Sequence, residues 1–137
     1  MYQSQPLKFR VYHKNKSIKK FSKIFEIKEY KTSKLKLIAQ TFGYLSIKQF
    51  VMARNIILKN IKKSGKLIFF GFPNLPLSKR KEVVRMGKGK GAQVNWVFAV
   101  KPGFLFCEIS FSNFNKSLLG LKALQHRLPI KTKIIYN

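Results

Sequence analysis

The chain carries 29 lysines and arginines against 4 acidic residues, a formal net charge of +25 on 137 residues. Charge of one sign on a compact body repels itself. Glu26, Glu29, Glu82 and Glu108 cannot neutralise it from within, and there is no Asp. At 45% apolar residues the chain is too hydrophobic for a disordered basic tail. No stretch approaches the roughly 18 consecutive apolar residues of a membrane-spanning helix. What remains is one folded module of modest core that works beside a large polyanion.

A single cysteine, Cys107, sits in an apolar stretch and reads as a small core hydrophobe, so neither an internal disulfide nor a C-x-x-C metal site is expected. Lysines outnumber arginines 24 to 5. Together with the abundance of Phe, Ile, Asn and Tyr, this suggests an AT-rich genome, such as an organelle's or an AT-rich bacterium's. The N-terminus lacks a signal-peptide apolar stretch. Its basic, acid-poor segment is lysine-dominated rather than arginine-rich, and reads as a nucleic-acid-binding arm rather than a transit peptide.

Along the chain, residues 1–34 form this arm, with Phe9, Tyr12, Phe21, Phe25 and Tyr30 interleaved among the cations, and residues 35–137 form a single domain. Residues 34–42 read as a strand broken at Gly43. Residues 46–64 read as a helix, with Ser46 and Gln49 spaced as a capping box and Gly65 closing it. Ile47, Phe50, Val51, Ile57, Leu58 and Ile61 make its apolar stripe, and Lys48, Asn55, Lys59 and Lys62 its cationic face. Arg54 falls near the middle of that stripe, where it either snorkels to the rim or meets a phosphate. Residues 66–72 read as a buried strand and 73–92 as a long basic loop. Residues 93–101 and 104–111 read as an antiparallel pair turning at Pro102-Gly103. Residues 115–128 read as a helix capped by Asn115, and 130–136 as a final strand. The class is α+β, two helices packed on a mostly antiparallel sheet, with a basic N-terminal arm and a long basic Gly-rich hairpin loop.

Within the loop, residues 85–91 read Arg-Met-Gly-Lys-Gly-Lys-Gly, behind Lys79, Arg80 and Lys81. Glycine lets backbone amides approach a phosphate, and lysine supplies charge without a steric wall. The run precedes a strand and no Ser or Thr follows its lysines, so it is not a nucleotide-binding P-loop. Gly87, Gly89 and Gly91 are spaced by two, which also fails the dinucleotide fingerprint. Acid–base chemistry has little to work with: His13 and His126 have no Asp to orient them, Glu26 and Glu29 lie in the arm, and metal ligands are too few. No cofactor is expected.

The stretch RMGKGKGAQVNWVFAVKPG resembles the large-subunit ribosomal protein family numbered sixteen in bacteria. So do GKLIFFGFPNLP at 65–76, LPIKT at 128–132 and the basic matches between Lys8 and Lys14. The resemblance implies an α+β fold docked on large-subunit rRNA near the peptidyl transferase centre, with no enzymatic activity. It implies rRNA contacts from Lys8, Arg10, His13, Lys14, Lys48, Arg54, Lys59, Lys62 and Lys63. It further implies that the loop, with Lys79, Arg80, Lys81, Arg85, Met86, Gly87, Lys88, Gly89, Lys90 and Gly91, faces the aminoacyl-tRNA in the A site. Neighbouring large-subunit proteins would be further partners, without membrane insertion or homo-oligomerisation. The expected address is a mitochondrial ribosome, with a plastid or bacterial one as the alternative. Val51 stands where the family pattern has a glutamate, which removes a helix partner from Arg54 and turns it toward rRNA. Lysines in place of helix arginines imply point-charge rather than bidentate contacts. The rival readings are a non-ribosomal cationic RNA chaperone and a cationic membrane-surface protein.

Overall fold

The computed structural model describes residues 34–136 apart from 63, 64, 84, 88 and 112. The arm expected over 1–34 therefore lies outside the described residues but for Lys34, which opens the first strand. Nine elements follow in the order β1 (Lys34–Ala39), β2 (Gly43–Ser46), α1 (Ile47–Ile61), β3 (Gly65–Phe69), β4 (Leu75–Ser78), β5 (Gln93–Val100), β6 (Leu105–Phe111), α2 (Phe114–Gln125) and β7 (Thr132–Tyr136). The α+β class stands, but the strands form two antiparallel sheets, β3-β6-β1-β7 and β2-β5-β4.

β1 obeys the two-residue period of a strand with one face in the core. Leu35, Leu37 and Ala39 are buried with their cross-strand neighbours Cys107 and Ile109 on β6. Lys34, Lys36 and Glu108 alternate to the other face, where the Lys34 ammonium meets the Glu108 carboxylate at 2.5 Å. The strand expected over 34–42 ends early, at Ala39. Gly43 begins β2 because it packs tightly, not because it is flexible. A Cβ there would stand 2.3 Å from the Ile130 side chain, so only a hydrogen fits between the strand and buried Ile130.

Ser46 caps α1 as its spacing predicts. The Gln49 side chain accepts from the Ser46 amide at 2.8 Å, and the Ser46 hydroxyl accepts from the Gln49 amide at 3.4 Å. The other end differs. The helix stops at Ile61, and Lys62, at φ 54°, donates its amide to the Leu58 carbonyl at 2.8 Å. Gly65 is not the terminator; it starts β3. Inward-facing residues are Phe50, Ala53, Ile57 and Ile61. Phe50 lies in an aromatic nest, its ring centroid 5.2 Å from Phe106, 6.0 Å from Phe69 and 6.1 Å from Phe98.

Three further expectations are corrected. Residues 66–72 are not a fully buried strand: β3 is an edge strand whose residues alternate between half-buried and exposed. The span 73–92 is not all loop, since Leu75–Ser78 pairs with β5; Pro76, which donates no backbone hydrogen bond, is tolerated because β4 is an edge. β5 and β6 do not pair with each other. The Pro102-Gly103 turn is drawn instead to the end of β1, where the Gly103 amide donates to Ala39 at 2.7 Å and the Ala39 amide to Phe104 at 2.9 Å. The chain is thereby handed from one sheet to the other.

α2 is capped by Asn113, not Asn115. The Asn113 side chain accepts from the Lys116 amide at 3.3 Å, so the helix starts one residue earlier than the spacing implied, and it also ends earlier, at Gln125. Leu121 and Leu124 enter the core, and Gly120 lets α2 approach Asn60 of α1 closely.

Replacing Phe50 with Ala is expected to cost about 3–5 kcal/mol, because it leaves a cavity among three rings that cannot collapse together. Val51→Ala, on the exposed side, is expected to stay within about 0.5 kcal/mol. Urea unfolding followed by the fluorescence of Trp96 distinguishes the two. Cys107 is completely buried and burial pushes its thiol up, so it stays protonated. A thiol reagent is expected to label it only as the chain unfolds; labelling at the rate of a free thiol in the folded protein would contradict this burial.

Candidate nucleic-acid interface

Lys48, Asn55, Lys59 and Lys62 are all exposed. Their spacings of seven, four and three place them in one row along α1, opposite the buried stripe. No acidic residue occupies the first turn of this helix, so nothing in the row offsets its charge locally.

The structure corrects the placement of Arg54. The expected stripe was drawn around Val51 and Leu58, but these are 44% and 36% exposed, and the true stripe runs through Ala53. A small alanine between two larger residues carries little weight in an apolar pattern, which shifts the apparent centre of the stripe toward Arg54. The residue is in fact exposed, on the flank of the helix, at one rim of a cleft shared with Lys66 and Phe70. It needs neither a buried partner nor a long snorkel.

The second cationic element is the hairpin loop of residues 79–92 between β4 and β5. Its base is closed by the Lys79 amide donating to the Ala92 carbonyl at 3.1 Å. Gly91 lies flat on that base: a Cβ there would come within 2.4 Å of the Lys79 carbonyl oxygen. Further out, Gly87 and Gly89 adopt left-handed φ values of 98° and 83°, with open space where a side chain would begin. Backbone of this kind admits close approach by an anion. Lys79, Arg80, Lys81, Arg85, Met86 and Lys90 are exposed, Met86 at 90%. The Lys79 ammonium and the Glu82 carboxylate stand 3.6 Å apart in solvent, a contact that water and salt screen strongly.

The two elements are held in a common frame by β2 and β5. Ser46, the cap of α1, pairs with Val97 on β5, four residues from the strand's loop end at Gln93, or about 13 Å along the strand. The helix row and the loop thus belong to one scaffold. Lys8, Arg10, His13, Lys14, Lys63 and Lys88 lie outside the described residues.

The sequence reading assigned no role to the exposed cations of α2, β7 and the link between them: Lys116, Lys122, Arg127, Lys131 and Lys133. The signal was present, since these residues fall between the apolar positions of their segments, but a chain this rich in lysine hides any one cluster. Among the described residues no group of three His, Cys, Asp or Glu side chains is arranged to hold a metal ion, and no helix is long and apolar enough to cross a membrane.

Comparison with known proteins covers both elements. The family model for Ribosomal protein L16p/L10e matches residues 7–135. The chain is 36% identical over 136 residues to large ribosomal subunit protein uL16c of Euglena longa, covering 99% of this chain and 98% of the relative. It is 41% identical over 101 residues to uL16 of Phytoplasma mali, covering 72% of each. With uL16c of Gracilaria tenuistipitata the identity is 34% over 130 residues, 93% of each.

The base and tip of the loop respond differently to an added methyl. Gly91→Ala forces the backbone of Lys79 and Arg80 aside, so hydrogen exchange at the Lys79 amide is expected to speed up by at least tenfold. Gly87→Ala meets no atom and is expected to leave that amide protected, while adding strain of about 1–2 kcal/mol at a left-handed residue.

Proposed function

The chain belongs to the ribosomal protein L16p/L10e family, and from that premise we propose that it is a structural component of the large ribosomal subunit whose cationic surface is neutralised by large-subunit rRNA. The observation that carries this reading is the distribution of charge. Most of the described lysines and arginines are exposed, among them those of the α1 face and of the loop, while of the described carboxylates Glu108 is spent inside the sheet and Glu82 lies beside Lys79.

In this reading the segment 1–34 is an rRNA-binding arm, with Lys8, Arg10, His13 and Lys14 on phosphates, and 35–137 is the RNA-binding domain. Lys48, Arg54, Lys59, Lys62 and Lys63 bind rRNA along α1. The loop from Lys79 to Gly91 reaches toward the acceptor end of A-site tRNA, where Lys88 and Lys90 supply charge and Gly87 and Gly89 keep the backbone accessible. Binding and positioning are its whole task, and no side chain is asked to do bond chemistry. Neighbouring large-subunit proteins complete its surroundings.

The membrane-surface reading loses its basis, because the apolar side of α1 is occupied by Phe50, Ala53, Ile57 and Ile61 packed into the core. An RNA chaperone acting off the ribosome keeps the same surface and differs only in the particle it travels with. The organellar address follows from the lysine-over-arginine bias. The relatives are plastid and bacterial, so a plastid ribosome is as well supported as the mitochondrial one first expected.

A tagged chain is expected to co-sediment with assembled large subunits on a sucrose gradient, and recovery only in free RNA complexes favours the chaperone. Binding of the purified chain to rRNA fragments is expected to weaken steeply with salt, as counterion release requires. Lys88→Glu with Lys90→Glu is expected to lower that slope by about two, roughly one unit per lost phosphate contact, and to impair accommodation of A-site tRNA. An unchanged slope together with normal translation would remove the loop from the interface.

A further inference from the structure

Between α1 and the edge strand β3 runs an open cleft of about 730 Å³, lined by Arg54, Leu58, Lys66, Leu67, Phe69 and Phe70 among others. Its walls combine three features that the fold itself does not use.

The first is an aromatic ring held in water. Beyond β3 the chain stays extended, with Gly71 and Pro73 buried and Phe70, Phe72 and Asn74 exposed. Gly71 is pressed against the Phe98 ring, where a Cβ would come within 2.7 Å, and the Phe70 amide donates to the Phe106 carbonyl at 3.2 Å. Phe70 therefore projects from fixed backbone, half of it exposed, while its neighbour Phe69 packs on the core ring of Phe106. The second feature is charge. Arg54 and Lys66 both line it, and of the described acids Glu82 is in the loop and Glu108 is buried against Lys34, so no described carboxylate lines the cleft. The third is direction. Among the described residues β3 ends its sheet, with no described strand on the side away from β6.

A peptide strand would use the edge but would leave the cations unmatched. An unpaired nucleotide matches all three, since its base has an apolar face, its rim has hydrogen-bonding groups, and its flanking phosphates are anionic. We propose that this cleft receives one unpaired RNA base, stacked on Phe70, with the adjoining phosphates held by Arg54 and Lys66. The proposal rests on the rRNA-binding reading and deepens it: most of the interface reads only charge, whereas this site distinguishes a bulged or looped nucleotide from paired ones.

The test uses the purified full chain and two RNA probes of equal length, a hairpin with one bulged 5-iodouridine and its fully paired counterpart. The native chain is expected to bind the bulged probe at least tenfold more tightly, and irradiation is expected to cross-link the iodinated base to the peptide containing Phe70. Phe70→Ala is expected to abolish the preference while leaving affinity for the paired probe and its salt slope unchanged. Arg54→Gln is expected to lower the slope by about one unit on the bulged probe. Should Phe70→Ala fold poorly, Phe70→Leu keeps the bulk, removes the aromatic face and carries the same comparison. Equal affinity of the native chain for both probes, a preference that survives loss of the ring, or a cross-link elsewhere overturns the proposal, including in favour of a peptide partner, while leaving rRNA binding standing. Failure to bind either probe overturns both readings at once.

Discussion

Cohesion in this molecule has to come from apolar packing, because attraction between charges is almost absent. With 29 cations to 4 carboxylates, most basic side chains have no acid to meet. Among the described residues two ion pairs are recorded, and the Lys79–Glu82 contact is in solvent. The other, Lys34 with Glu108, lies on the sheet face turned away from α1 and α2, beside buried Lys36. Beside the backbone hydrogen bonds of the sheets and caps, what holds the domain is hydrocarbon: leucines and isoleucines from β1, β6 and both helices, closed by the ring cluster of Phe50, Phe69, Phe98 and Phe106. Apart from Lys34 and Lys36 on β1, most of the described cations stand on the outside of their elements, and a surface of nearly uniform sign follows from the same arithmetic that makes the core plain.

Local signals with one interpretation were readable in advance. Ser46 and Gln49 form the box their spacing implies, and the leucines of β1 alternate onto the core face as their spacing implies, although Lys36 between them is buried too. The glycine–lysine run does sit between two strands. Signals with two interpretations were not readable. Asn113 and Asn115 are equally good caps by type, and only the path of the chain out of β6 selects the first. Gly43 and Gly65 looked like interruptions, yet each begins a strand. The split into two sheets was hidden because Pro102-Gly103 has the form of a hairpin turn, while the partner that claims its backbone, Ala39, lies far away in sequence. For Arg54 the difficulty was the small size of Ala53, which is wholly buried but hardly weighs in an apolar pattern.

The candidate interface presents charge in two physical forms. On α1 the cations stand in a row on a rigid helix, so the spacing between them is set by the backbone. Around Gly87 and Gly89 they ride on a chain whose shape is chosen for closeness rather than for spacing. Lysine dominates both, and its ammonium acts as a point charge, tolerant of where a phosphate lies. Arg54, with a planar fork and a neighbouring aromatic ring in the same cleft, is the member of the set suited to geometric recognition. Affinity and discrimination are thereby assigned to different parts of one surface.

The corner at Pro102-Gly103 has a mechanical side. β5 runs unbroken from the foot of the loop to this corner, eight residues or about 27 Å of strand. Over its corner half, Val97–Val100, it is bonded to β2, which continues without a break into α1. The loop, the small sheet and α1 are therefore parts of one continuous backbone frame, and the hydrogen bonds to Ala39 fasten that frame to the larger sheet.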